Sequence, residues 1–201
     1  MTDAPTVVLV HGAWHGAWCW DKVVAGLDAA GVPVAAVDLP LTSFDDDMSA
    51  TRAAIDEVGG PVVLCGHSYG GAVITQAGDH PSVGHLVYVC AFALDEGEST
   101  ASAATGDELP NSDLADAFRF SEDGEMVDLD PEGARTAFYL DCDRAEADAA
   151  LARLRPMPFS CFTTPVTKAA WRDRPSTYAV CTEDRAVHRE LQRVLAARCA
   201  T

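Results

Sequence analysis

The sequence predicts an α/β protein: a mostly parallel sheet of about five strands with helices on both faces. Three observations carry this expectation. Short β-branched runs recur along the chain, as in TVVLV (6–10) and PVVLCG (61–66), and they are apolar at successive positions, as strands buried on both faces are. Stretches with helical spacing alternate with them. The length of 201 residues fits one domain that buries its core without staples.

The first strand, TVVLV (6–10), ends in the loop HGAWHGAWCW, and helical spacing starts near Asp21 and stops at Gly31. VPVAAVDL (32–39) is the second strand, closed by Pro40. Ser43 caps the helix FDDDMSATRAAIDEV, with Asp46 three residues on and acids in the first turn, where the helix dipole favours them. PVVLCG (61–66) is the third strand, and GGAVITQAG (70–78) is a helix closed by Gly78. HLVYVCAF (85–92) and TYAVCT (177–182) are the fourth and fifth strands, followed by the helix RELQRVLAARC. Between Leu94 and about Pro165 the pattern changes. FRFSEDGEMVDLD (118–130) alternates around an Asp-Gly turn as a hairpin does, and PEGARTAFYL and DRAEADAALARL read as short helices. The expected organisation is a single domain over 1–201, with a core of 1–93 and 166–201. Residues 94–165 are a cap insertion over the carboxyl ends of the strands, where ligands bind in such sheets.

Fourteen basic against 31 acidic residues give a net charge of −17. This argues against nucleic acid and an anionic membrane surface as partners, since both reward positive patches. The acidic runs at 45–47 and 122–125 read as a solvated helix start and a solvated turn. The seven cysteines show no C-x-x-C spacing. Cys65, Cys90 and Cys181 fall in apolar runs that read as strands, where a free cysteine behaves as a small hydrophobe. Neither a disulfide framework nor a metal site is expected, and the expected compartment is a reducing cytoplasm. The N-terminus lacks the basic flank and apolar length of a signal peptide, and no segment approaches a membrane span.

Gly66-His67-Ser68-Tyr69-Gly70 matches G-x-S-x-G and lies between a strand and a helix, the context that motif requires. The glycines are mechanical: in so tight a turn, side chains at 66 and 70 would collide with the neighbouring strand and helix, and Gly71 lets the helix approach. The turn lifts the Ser68 hydroxyl clear of the sheet as a nucleophile. Tyr69 N–H is one expected oxyanion donor, and Ala13 N–H, in the loop after the first strand, is the second. His67 is expected to pack behind the turn. The carboxylates of CTEDRAV (181–187) close the fifth strand, where an acid would orient an imidazole. Spacing alone leaves Glu183 and Asp184 open, and Asp184 is the choice.

VVLVHGAWHGAWCW, VDLP, GHSYGGAVI, LVYVCAFALDEGES and CTEDRAV…ELQR together resemble the α/β-hydrolase branch of plant methylesterases and hydroxynitrile lyases, with its bacterial relatives. The resemblance runs from about Thr6 to the last helix and is weakest in the cap. It implies the α/β-hydrolase fold, Ser68 as nucleophile, Asp184 as triad acid, and Ala13 and Tyr69 as oxyanion donors. It further implies action on a small ester without metal or organic cofactor. Lyase members carry threonine directly after the first histidine of the loop, where this chain has Gly12, as the esterases do. In the family a further strand, a loop bearing the catalytic histidine and a final helix follow ELQRVLAAR, roughly 30 residues or more on average element lengths. The resemblance thus implies a shortened form with a bare edge at its fifth strand, prone to self-association and impaired in turnover. Among the histidines present, His188, four residues past Asp184, is the substitute to weigh. The expected function is a carboxylesterase of methylesterase type. A ligand-binding homologue without turnover is the alternative, and a cyanohydrin lyase a more distant one.

Overall fold

The computed structural model describes residues 4–105 and 112–199. Five parallel strands make the central sheet: β1 (Thr6–Val10), β2 (Val34–Val37), β3 (Val62–His67), β4 (Val83–Val89) and, late in the chain, β8 (Ser176–Ala179). Their order is β2-β1-β3-β4-β8, with β8 at one edge. The helix α1 (Asp21–Ala29) covers one face, where Leu9, Cys65 and Trp20 form a small cluster. The helices α2 (Phe44–Val58), α3 (Tyr69–Ala77) and α8 (Arg189–Cys199) cover the other, over a larger core that includes Val8, Val10, Leu64, Leu86 and Tyr88. This split follows from the period of two: successive apolar residues of one strand feed two cores.

Local signals set the ends. Ser43 accepts the Asp46 N–H at 3.0 Å and donates its hydroxyl to the Asp46 carboxylate at 2.7 Å, which fixes the start of α2. Gly59, with φ of 63°, ends it in the left-handed region. One expectation fails in this helix. Asp45 and Asp46 are solvated, but Asp47 is completely buried. It shares the inward face with Phe44, Thr51 and Ile55, as a period of 3.6 dictates.

Between β4 and β8 lie α4 (Thr100–Ala104), the hairpin of β5 (Phe118–Phe120) and β6 (Met126–Leu129), α5 (Pro131–Phe138), α6 (Arg144–Leu151), β7 (Met157–Pro158) and α7 (Ser160–Thr163). β5, β6 and β7 form an antiparallel sheet of their own. These elements hold the loop after β1. Trp14 Nε1 donates to Val127 O at 3.1 Å, Arg155 N–H to Trp14 O at 2.8 Å, and Arg155 Nη2 to His15 O at 2.8 Å.

Candidate active site

The turn from β3 into α3 is as tight as the motif demands. A Cβ at Gly66 would stand 2.6 Å from Gly70 O, one at Gly70 2.5 Å from Val10 O, and one at Gly71 2.6 Å from Phe92 N. Ser68 itself takes φ of 50° and ψ of −122°, a conformation that costs a non-glycine residue on the order of 1–3 kcal/mol. Hydrogen bonds from the N–H groups of Gly71 (2.9 Å) and Phe92 (3.1 Å) to Ser68 O hold it there. Ser68 is half-buried, and its hydroxyl has no hydrogen-bond partner among the described residues. Gly12 lies against it: a Cβ at that position would come within 3.0 Å of Ser68 Cβ and 3.1 Å of His67 Nδ1.

Ala13 is buried in the loop after β1, and Tyr69 is the first residue of α3. Among the described residues neither N–H reaches a protein acceptor, which leaves both free for a ligand oxygen. The Tyr69 side chain points away from the turn and donates to Asp47 Oδ2 at 2.7 Å, while Leu41 N–H donates to Asp47 Oδ1 at 2.7 Å. Asp47 therefore braces the turn from beneath.

Asp184 is half-buried, whereas Glu183 is exposed. Asp184 Oδ1 accepts the N–H groups of Ala186 (2.7 Å) and Val187 (3.1 Å), and Oδ2 accepts Gln192 Nε2 at 3.0 Å. Gln192 was not singled out from the sequence. It is fully buried on α8 and also binds Cys181 N–H (2.8 Å), Cys181 O (3.3 Å) and Val187 O (2.7 Å). A glutamine on the inward face of an otherwise apolar helix stripe was the available signal.

A cavity of about 730 Å³ opens beside Asp184 and is walled by His15, Trp20, His67, Val89, Phe138 and Tyr139, among others. Trp20 sets its ring edge-on to His67 at 6.2 Å, and its buried Nε1 has no acceptor among the described residues. Phe138 and Tyr139 line this space, Phe118, Phe138 and Phe162 pack around Trp14, and Phe120 and Phe159 lie beside them.

None of the six histidines bonds Ser68 or Asp184. His11 accepts from Leu39 N–H and pairs with Gly12 O, and His15 bonds Ala13 O and Tyr139 Oη. His80 meets Asp56, and His85 meets Thr177, at the far end of the sheet. His188 accepts the Glu190 N–H at 3.2 Å and so caps the start of α8.

These burials predict a pH response. Desolvation lowers His11 to about 4, despite its bond to Gly12 O, lowers His67 to about 4, and lowers His15 as well. Desolvation raises Asp47 to about 6, against its bonds to Tyr69 and Leu41. A histidine with a lowered pKa gives stability that is full above about 6.5 and lost as pH falls toward 4. An aspartate with a raised pKa does the reverse, gaining as pH falls through about 6. His11 and Asp47 each amount to about 3 kcal/mol and nearly cancel. His67 and His15, both lowered by burial, then decide the balance. Stability is expected to fall between pH 6.5 and 4. In Asp47→Asn it should fall more steeply, by about 2–3 kcal/mol over that window, as urea midpoints at pH 7 and 4.5 would show.

The same architecture is found in known proteins. A model of the alpha/beta hydrolase family matches residues 7–201. The chain is 35% identical over 204 residues to the alpha/beta hydrolase nvfD of Aspergillus novofumigatus, covering 91% of this chain and 79% of that protein. It is 30% identical over 215 residues to methylesterase 2 of Arabidopsis thaliana, covering 92% and 81%. The solved structure of the methylesterase MES16 from Arabidopsis superposes with a TM-score of 0.74 over 96% of this chain and 85% of that one, at 25% identity. Sheet order, elbow and similarity along nine tenths of the chain agree: the chain is an enzyme of the alpha/beta hydrolase family, in the branch of the plant methylesterases.

Proposed function

We propose that this hydrolase cleaves a small carboxylic ester through Ser68. The observation that best supports the reading is the strained elbow, with a free Ser68 hydroxyl beside two free N–H groups. Ser68 Oγ attacks the carbonyl carbon, and the N–H groups of Ala13 and Tyr69 carry the charge that develops on its oxygen. Asp184 stands as the triad acid behind an imidazole that takes the Ser68 proton. Among the described residues no imidazole bonds Ser68 or Asp184. An oxyanion hole and binding alone sustain roughly 10³–10⁴-fold over water in triad enzymes. The cavity beside Asp184 meets the elbow at His67, whereas Ser68, Ala13 and Tyr69 are not among its walls. Seven free thiols fit a reducing cytoplasm, and no helix among the described residues is long and apolar enough to cross a membrane.

A fluorophosphonate probe tests the reading directly. It should add its mass at Ser68, and Ser68→Ala should abolish both labelling and hydrolysis of a short p-nitrophenyl ester. A folded protein that stays unlabelled would overturn it. A second reading is a small-ligand-binding homologue without turnover, which the cavity beside Asp184 would serve. In that case a ligand would raise Tm and be recovered unchanged. Gly12 weighs against a cyanohydrin lyase, which aldehyde release from a cyanohydrin would revive.

A further inference from the structure

Two cysteines expected inside strands lie instead just beyond them. Cys90 follows β4, and Cys181 lies two residues past β8. These strands are adjacent and parallel, with Val89 opposite Ala179, and Cys90 N–H donates to Ala179 O at 2.9 Å in the last rung. Cys181 therefore stands one residue beyond the position facing Cys90, across the ends of the two strands. The alternation of faces ends there, because Cys90 leaves the extended region, and its thiol meets the Cys181 thiol and the Asp184 carboxylate.

Both side chains line the cavity beside Asp184, Cys181 half-buried and Cys90 nearly closed off. The backbone at Cys90 is strained, with φ of 37°. It is held there by Tyr178 Oη, which accepts from Ala91 N–H at 3.0 Å and donates to Ala91 O at 2.7 Å. On the other side Gln192 grips both main-chain groups of Cys181. Burial raises the Cys90 thiol, followed by the adjacent Asp184 carboxylate and Cys181 thiol.

We propose that Cys90 and Cys181 form a dithiol site, open to the cavity, that hydroperoxides convert to a disulfide. Cys181 is the more accessible thiol and reacts first. Its sulfur attacks the peroxide, the O–O bond breaks, and the displaced oxygen leaves with the Cys181 proton as water or alcohol. Cys181 is then a sulfenic acid. Cys90 sulfur attacks Cys181 sulfur, the S–S bond forms, and the S–O bond breaks. Asp184 takes the Cys90 proton and passes it to the departing hydroxide, which leaves as water. Two thiols are oxidised and one peroxide is reduced. Cys19 also lines the cavity, but it packs over β1 and β2 beside Leu9 and Val34, away from the β4–β8 edge that carries Cys90 and Cys181, so it is not the partner. The disulfide would lie against Asp184, so it would also slow ester hydrolysis. That consequence rests on the hydrolase reading, whereas the thiol chemistry does not.

The test uses the full chain carrying Cys142→Ser, since Cys142 is exposed and would cross-link molecules. The protein is treated with hydrogen peroxide, alkylated with iodoacetamide and mapped by mass spectrometry. The expected product has lost two hydrogens, joins the Cys90 and Cys181 peptides, and reverts with dithiothreitol. Cys90→Ser should stop at a sulfenic acid on Cys181 that dimedone traps, and Cys181→Ser should give no disulfide. Cys181→Ser is the safer variant for folding because its side chain is half-exposed. Full alkylation of both cysteines after peroxide, or linkage of either to Cys19, would overturn the proposal. The mass readout stands whether or not Ser68 is labelled.

Discussion

Gly70→Ala is expected to remove a large share of the folding stability, on the order of 3–5 kcal/mol against the 5–15 typical of a domain. The new Cβ would stand 2.5 Å from Val10 O and 2.6 Å from His11 O. Both are main-chain atoms at the end of β1, a strand flanked by β2 and β3, so neither can swing aside as a side-chain tip would. Relief would require α3 to back away from the sheet, breaking the contacts of Val73 and Ile74, both fully buried. Gly26→Ala is the control. Gly26 is exposed in α1 with nothing within 4 Å of its would-be Cβ, and the change should gain about 0.5–1 kcal/mol through helix propensity. Urea midpoints should move in opposite directions for the two variants. An unchanged midpoint for Gly70→Ala would mean that the elbow is not closed against β1.

The elbow was legible in the sequence because its constraint is local: three glycines at fixed spacing between a strand and a helix admit few backbones. The core elements were legible for a similar reason, with α8 found over Arg189–Cys199 where RELQRVLAARC placed it. Features set by long-range contacts were not. The fifth strand was expected to reach Thr182, but β8 stops at Ala179, because Gln192 takes the Cys181 N–H and carbonyl that would have extended the ladder. Asp47 read as one of three solvated acids until the helix turned it inward to meet Tyr69 and Leu41. The division of the cap aromatics left no trace in the sequence either: Phe118 and Phe162 close on Trp14, Tyr139 faces the cavity, and Phe138 does both. In each case the residue type was informative, but its partner lay outside its own element, from 6 to 148 residues away, and the hydrophobic period carries no record of that.

Gln192→Leu tests the device that holds Asp184. The leucine fills much of the volume but makes none of the four hydrogen bonds that reach Cys181, Asp184 and Val187. Asp184 and Cys181 border the cavity and can turn partly to water, whereas Val187 is buried. The net loss is expected to be about 3 kcal/mol, since each buried group left unpaired costs about 1–3 kcal/mol. Gln192→Glu separates hydrogen bonding from shape. The introduced carboxylate can still accept the Cys181 N–H, but it cannot donate to Val187 O, and it faces Asp184 as a like charge. Its pKa should rise, so the variant should be weakest at neutral pH and regain stability as pH falls and the new carboxyl becomes a donor. Gln192→Leu has no such proton to gain. Urea midpoints at pH 7 and 5 for both proteins, each referred to wild type, distinguish the cases. A Gln192→Glu protein as stable as wild type at pH 7 would mean that Gln192 does not press its amide on Asp184. A pH-dependent deficit confined to that variant would show that the carboxylate is held by this one donor and the two N–H groups of Ala186 and Val187, a brace that works before any substrate or imidazole arrives.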